Sequence, residues 1–303
     1  MNKKLIIILA VLVVIFLLTK LNNKSEKTIN FFGADSADVY KIEIIAADES
    51  ITLSKESGEW MITAPVNYKP QTRKIEEIFS KVLPAETSDI PVSESDSSFE
   101  TYGVTDSLGT SVKIYDKYDK VLSDAIVGSS SNYNYSHARK AGKSKIYQLK
   151  ENISYSLKPT LKNWRERDVV ALEETDIAKV QVMSKDINYI VAISDTAWVY
   201  TDGVNTMYLQ TDSKPMKDIY SLLKKLTASE FIDDSYAEYE NSFENPEMMV
   251  IIDRFNADPI TLTYIAKDDT KYILKRNEET GTLFEAYQSM SKRLLKTYED
   301  FQK

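Results

Sequence analysis

The 303-residue chain has no cysteine, a single histidine, and only eight glycines and eight prolines. Without thiols there can be no disulfide, iron–sulfur cluster, thiolate zinc site or cysteine nucleophile. The lone histidine, His137, excludes HExxH zinc chemistry, and a Ser-His-Asp triad is left only if His137 is its base. No serine lies in a G-x-S-x-G elbow and no glycine-rich loop precedes a helix, so neither a hydrolase nucleophile nor a phosphate cradle is expected. Carboxylates are plentiful, but Asp116 with Asp119, and Asp253 with Asp258, fall at expected strand ends and turns, where Asp is a turn former. Neither Asp116-x-x-Asp119 nor Asp268-Asp269 has the spacing and glycine of a calcium loop. The expectation is a protein that is not an enzyme and holds no cofactor or metal.

Long apolar runs are also scarce; there is one. Leu5 to Leu18 are fourteen consecutive apolar residues between Lys3-Lys4 and Thr19-Lys20. A spanning helix takes roughly 20 residues, so the run is short, near the length of a signal-peptide core. The exit Leu17-Leu18-Thr19-Lys20-Leu21-Asn22 has no small-x-small cleavage site, and no cysteine follows that could carry a lipid. Thr19 and the stems of Lys4 and Lys20 can lengthen the span. An uncleaved signal anchor over residues 1–20 is expected, with a cleaved peptide as the alternative. Lysines flank both sides, so charge hardly fixes orientation. An apolar run at the extreme N-terminus is nevertheless the usual export signal, which predicts a single-pass protein of a bacterial cytoplasmic membrane with its body outside.

Beyond residue 20 there are 35 basic against 46 acidic residues, a balance of −11. Such a surface repels nucleic acid and anionic headgroups, and nucleic-acid binding is set aside. Residues 21–36 are polar apart from Phe31-Phe32 and read as a tether, about 22 Å end to end as a flexible coil.

The body then repeats a pattern. Tyr40, Ile42 and Ile44 alternate with Lys41 and Glu43; Ile51 and Leu53 form a second strand; Trp60 and Ile62 follow the Ser57-Gly58 turn as a third. Ile75, Ile78, Phe79 and Val82 then fall on one helical face, with Thr72 placed to cap it. A shift of 138 residues carries Ile42 to Val180, Ile44 to Val182, Ile51 to Tyr189, Leu53 to Val191, Trp60 to Trp198 and Ile62 to Tyr200. After a three-residue insertion the helices align, Ile78 on Ile219 and Phe79 on Tyr220, with Ser213 and Pro215 as cap and first-turn proline. Hairpins and short strands follow in both halves, including a strand over Tyr133 to Lys140. Closing helices carry Ile153, Leu157, Leu161 and Trp164 in one half, and Phe284, Tyr287, Leu294, Leu295, Tyr298 and Phe301 in the other. The expected class is α+β: an N-terminal transmembrane helix, then two tandem copies of an antiparallel sheet-plus-helices unit over 37–164 and 176–303, joined by a linker over 165–175.

Gly58-Glu59-Trp60-Met61-Ile62 with Pro65, Tyr102-Gly103-Val104-Thr105-Asp106, Ile126-Val127-Gly128 and Trp164-Arg165-Glu166-Arg167-Asp168 together resemble the membrane-anchored family numbered 4340 among domains of unknown function. The likeness covers roughly residues 38–182, whereas in the second half no proline follows Trp198 and no Tyr-Gly pair recurs. It implies an exported accessory protein, a companion of ABC-type transport systems of the gliding-motility kind.

Tyrosine is in excess, at 19 residues. Tyr115, Tyr118, Tyr133, Tyr135 and Tyr147 cluster in the later strands of the first half, where alternation would gather several on one sheet face. They read either as a face for a protein or glycan partner or as a packing layer. Arg165 and Arg167 read either as docking groups for a partner carboxylate or as salt bridges bracing the two copies, and His137 as a solvent-facing strand residue, with a general base or sugar-stacking partner as the alternative. The functional expectation is a non-enzymatic extracytoplasmic accessory or binding protein with an integral membrane partner, such as ABC transporter subunits. The alternative is a binder of glycan or peptide in a groove between the copies, and the third reading is an enzyme using two carboxylates.

Overall fold

The computed structural model describes residues 12–14, 26–128, 132–195, 197–233, 236–277, 279 and 281–303. The expected membrane segment lies outside the described residues except for Leu12, Val13 and Val14, which are helical and exposed. Among the described residues no helix is long and apolar enough to cross a membrane. The chain divides into two compact units, residues 1–166 and 167–303, each α+β and dominated by an antiparallel sheet.

The strands of the first unit are β1 (Thr28–Asn30), β2 (Lys41–Ala46), β3 (Glu49–Glu56), β4 (Glu59–Ala64), β5 (Glu86–Ser88), β6 (Thr110–Tyr115), β7 (Val121–Val127), β8 (His137–Lys140) and β9 (Ile146–Gln148). Seven of them make one sheet in the order β4-β3-β2-β6-β7-β8-β9. Period-two alternation sets its register, because a one-residue slip would turn every apolar side chain to the wrong face. Ile62, Leu53, Ile42 and Ile114 face one another across four strands, as do Ile51, Ile44, Val112 and Ala125. All eight are buried, each large one contributing about 1.5–3 kcal/mol. Ser57 and Gly58, at φ 50° and 94°, make the two-residue reversal that the right-handed twist of β3 and β4 requires.

Over that buried face lies helix Thr72–Glu77, continued by a wider π turn at Ile78–Val82. Ile78, Val82 and Leu83 are buried, while Ile75 and Phe79 pack at the margin. The N-cap is Gln71 and not Thr72, and Gln71 uses its side chain to bond the carbonyls of Asn163 and Arg165. Short isolated bridges join Ile62 with Tyr68, Ser93 with Ile146, and Thr87 with Leu149.

Two expectations are corrected here. The tether is folded from Thr28 onward: β1 pairs with β5, and Phe31 and Phe32 are 5% and 2% exposed within the core. A stretch that reads polar is held by its two adjacent aromatics, which meet edge-on at 5.2 Å. Nor is there a free linker over 165–175. The Glu166 N–H bonds Lys69 O in the first unit, whereas β10 (Asp168–Val170) pairs with β15 (Leu226–Thr227) and the Leu172 N–H bonds Leu223 O in the second.

The remaining strands of the second unit are β11 (Ile177–Ser184), β12 (Asn188–Ser194), β13 (Ala197–Thr201), β14 (Thr206–Leu209), β16 (Glu230–Ile232), β17 (Met248–Arg254), β18 (Ile260–Ala266), β19 (Lys271–Arg276) and β20 (Leu283–Tyr287). Their sheet runs β14-β13-β12-β11-β17-β18-β19-β20-β16. Its run from β13 to β20 follows the order of the first unit from β4 to β9. Leu53 opposes Ile62 and Val191 opposes Tyr200; Ile42 opposes Ile114 and Val180 opposes Ile252. Trp60 meets Phe79 at 5.6 Å and Trp198 meets Tyr220 at 5.9 Å. Trp198 is buried and Trp60 half-buried.

Helix Lys214–Lys224 buries Met216, Ile219, Tyr220, Leu222 and Leu223. Ser213 stands at its N-cap, but the side chain makes no cap bond, and Pro215 sits at the start of the helix. The chain does not close on one long helix as expected. Phe284 and Tyr287 belong to β20, and only short turns follow at Gln288–Ser291, Lys292–Leu294 and Tyr298–Phe301. Phe301 packs on Tyr189 and Tyr200, and the Tyr189 hydroxyl donates to Leu294 O at 2.8 Å, fixing this segment to the sheet.

Candidate functional site

The richest surface chemistry of the first unit gathers where the chain leads into β8. The expected strand over Tyr133 to Lys140 forms only from His137, so Tyr133 and Tyr135 lie in the preceding segment and do not alternate with it. Tyr133, 82% exposed, stacks on Tyr155 with ring centroids 6.3 Å apart and planes within 6°. Lys158 Nζ stands 4.9 Å from the Tyr155 ring. Asn152 supports this turn: its carboxamide oxygen accepts from the Ser136 and Ser154 hydroxyls and its amide donates to Asn132 O.

Tyr135 and Tyr102 approach the His137 ring edge-on, at 5.3 and 4.6 Å. His137 is half-buried between them, not solvent-facing, and burial pushes its pKa down, so the imidazole is neutral at pH 7. Among the described residues no carboxylate or hydroxyl hydrogen-bonds it, as a general base would require. Nor do the described residues include a group of three or more His, Asp or Glu able to hold a metal ion.

The Tyr102-to-Asp106 loop is held in place from beneath. Arg139 on β8 is 4% exposed; its Nε donates to Val104 O at 2.6 Å, its Nη2 to Asp106 Oδ1 at 2.5 Å, and its guanidinium covers Phe99 at 4.3 Å. Val104, Ile126 and Ile146 make a small core there, with Phe99 and Tyr102 packed against it. Gly128 permits the close approach, since a Cβ at that position would stand 2.6 Å from Tyr102 O.

The other tyrosines expected at this surface are elsewhere. Tyr115 and Tyr118 lie at the opposite end of β7, a strand of seven residues and so about 20 Å long. The Tyr115 hydroxyl donates to Glu43 at 2.7 Å, and burial with that neighbour pushes its pKa up to about 12. Tyr118 is 78% exposed at a turn tip where its N–H bonds Asp116. Tyr147 packs into the core against Phe31.

Both arginines make contacts within their own unit. Arg165, 1% exposed, lies over the Tyr68 ring at 4.2 Å and its carbonyl accepts from Gln71. Arg167 donates from Nε and Nη2 to Ala228 O and so braces the second unit internally. Tyr155 was not legible as a site residue, because only the fold brings it against Tyr133; Tyr102 carried a signal in the Tyr-Gly-Val-Thr-Asp run. In the second unit, a pocket of about 590 Å³ is lined by Glu173, Glu174, Lys217, Tyr220, Ser221 and Lys224, among others. Lys224 pairs with Glu173 at 3.2 Å, and burial beside Glu174 pushes the Tyr220 hydroxyl up to about 12.

Fold and surface together define an α+β chain of two antiparallel units bearing an exposed aromatic patch. Residues 60–246, well over half the chain, match the family described as "Domain of unknown function (DUF4340)", and the chain belongs to that family. The match starts at Trp60 and runs past Val182 into the second unit, farther than the sequence likeness suggested. No curated protein and no solved structure matches the chain.

Proposed function

We propose that this protein is a membrane-anchored, extracytoplasmic binding module, a non-enzymatic accessory of an ABC-type transport assembly, that engages an integral membrane partner through the aromatic patch of its first unit. The observation that carries the binding role is the stacked Tyr133–Tyr155 pair with Lys158 beside it. Exposed tyrosines held by their own packing offer large contact area at little entropic cost, and they are enriched at protein interfaces. The anchor rests on the apolar run Leu5 to Leu18, and the transport assignment on the family likeness.

The chain is, on this reading, an internal duplication. Matching strand order, cross-strand partners repeated at an offset of 138 residues, and the Trp60–Phe79 and Trp198–Tyr220 contacts support that origin. The binding patch belongs to the first copy: at the same offset Tyr133 and Tyr135 become Lys271 and Ile273.

The test is a mild-detergent pull-down of the full-length protein from native membranes, compared with a Tyr133→Ala/Tyr155→Ala variant. Stoichiometric transporter subunits with the native protein, lost with the variant at unchanged melting, is the expected result. Recovery of the native protein alone, from membranes holding an intact transporter, would refute the proposal.

A further inference from the structure

Lys140 is an unusual cation for so acidic a body. Its ammonium donates to Phe32 O at 3.1 Å and Ser123 Oγ at 2.7 Å, above the rings of Phe31 and Phe32 at 5.1 and 5.8 Å. All these partners are neutral. Asp124, whose charge reaches Lys140 from farther off, pairs with Lys113 at 3.8 Å. Burial pushes the Lys140 pKa down, and the more distant Asp124 charge offsets this only in part. An ammonium has three donors, and two are taken.

The side chain lines a pocket of about 330 Å³ together with Glu94, Lys143, Ser144, Lys145 and Tyr147. That volume is at the lower end for small-ligand sites. The turn joining β8 to β9 builds it: the Lys143 N–H closes on Lys140 O at 3.1 Å, and Gly142 takes φ +67°. Glu94 pairs with Lys145 at 3.2 Å, leaving the charges of Lys140 and Lys143 without a carboxylate among the lining residues.

We propose that this pocket is a binding site for a phosphoryl oxyanion. An anion with several oxygens can accept together from the remaining Lys140 donor, from Lys143 and from the Ser144 hydroxyl, and lysine serves phosphate as a point charge. It would also give the half-buried ammonium an anion in direct contact, where the fold supplies only neutral partners. Two sources share this chemistry, free phosphate and a phospholipid headgroup. The bond from Lys140 to Phe32 O ties the pocket to the segment around β1, which follows the N-terminal apolar run in sequence.

The experiment is calorimetric titration of the full-length protein in neutral detergent with inorganic phosphate and, separately, with glycerophosphoglycerol, a headgroup diester without acyl chains. Either should saturate in about the millimolar range, and Lys143→Ser/Lys145→Ser should weaken it about tenfold at unchanged melting. Lys140→Met is added as a second variant and is read if its melting matches the native protein. Saturation by the diester identifies a headgroup source and saturation by phosphate alone a free one; both support the oxyanion site, and neither depends on the anchor. Absence of saturation by both at about 10 mM, or affinity unchanged in the double variant, overturns it.

Discussion

Arg139 offers a test in which two partners of one side chain should behave unequally. Replacing it with methionine keeps much of the packing volume but removes the bond to Val104 O and the cover over Phe99. Val104 is fully buried, so its carbonyl would lose a charged donor without ready access to water, which costs about 1.5–3 kcal/mol. The contact with Phe99 adds about 0.5–1 kcal/mol. Asp106 is different. Its side chain is 85% exposed, and an ion pair with so wet a partner is worth about 0–1 kcal/mol despite the short distance. Arg139→Met should therefore lower the stability of the first unit by about 3 kcal/mol, and Asp106→Asn by under about 1 kcal/mol. In urea, with m near 2 kcal/mol/M, that is a midpoint shift of about 1.5 M against less than about 0.5 M. Tryptophan fluorescence follows the transition, and hydrogen exchange over residues 99–104 locates it in the loop. Equal losses from the two variants, or an Arg139→Met shift below about 0.3 M, would refute the argument that the buried carbonyl dominates.

Two further outcomes follow from the packing and from the charges. Phe32→Ala should cost about 3–5 kcal/mol, since Phe32 is 2% exposed in the core; melting unaffected by the change would mean that residues 28–36 are a mere tether after all. Glu285 is a buried carboxylate: burial raises its pKa, but Lys267 and Lys271, the latter at 2.5 Å, together outweigh that and hold it below the ordinary value. A depressed carboxylate contributes stability above its unfolded pKa and loses it as pH falls through the folded one. Unfolding of the second unit should therefore become easier between about pH 5 and pH 3, around the ordinary glutamate value of about 4.3, with a flatter profile for Glu285→Gln. Identical profiles would show that other carboxylates set the acid limit.

Ile42, Ile44, Ile51 and Leu53 announced their strands because alternation is a local signal and a single buried face enforces it. The correspondence of apolar positions at an offset of 138 residues was readable for the same reason. What stayed hidden depended on distant partners. Phe31 and Phe32 look like tether residues until β5, more than fifty positions later, supplies a pairing strand. Arg165 is open between docking and bracing on sequence alone, because the Tyr68 ring it lies over is almost a hundred positions earlier. Tyr133 and Tyr135 alternate on paper, yet the ladder starts only at His137, so they and Tyr115 never share a face. The stacked pair with Tyr155 and the lysine-lined pocket at Lys140 both join segments that no periodicity connects.

The bridges at Ile62–Tyr68, Ser93–Ile146 and Thr87–Leu149 have a consequence for recognition. They occupy backbone groups at Ile62 on β4, at Ile146 on β9 and at Leu149 just after it, on the borders of the seven-stranded sheet, where a foreign peptide could extend the ladder. Strand addition is a common, sequence-tolerant way to capture a partner, and unattended borders also invite self-association. Strand β5 and the segments around Tyr68 and Ser93 take up part of each margin of this sheet, which narrows the room a foreign strand would have there.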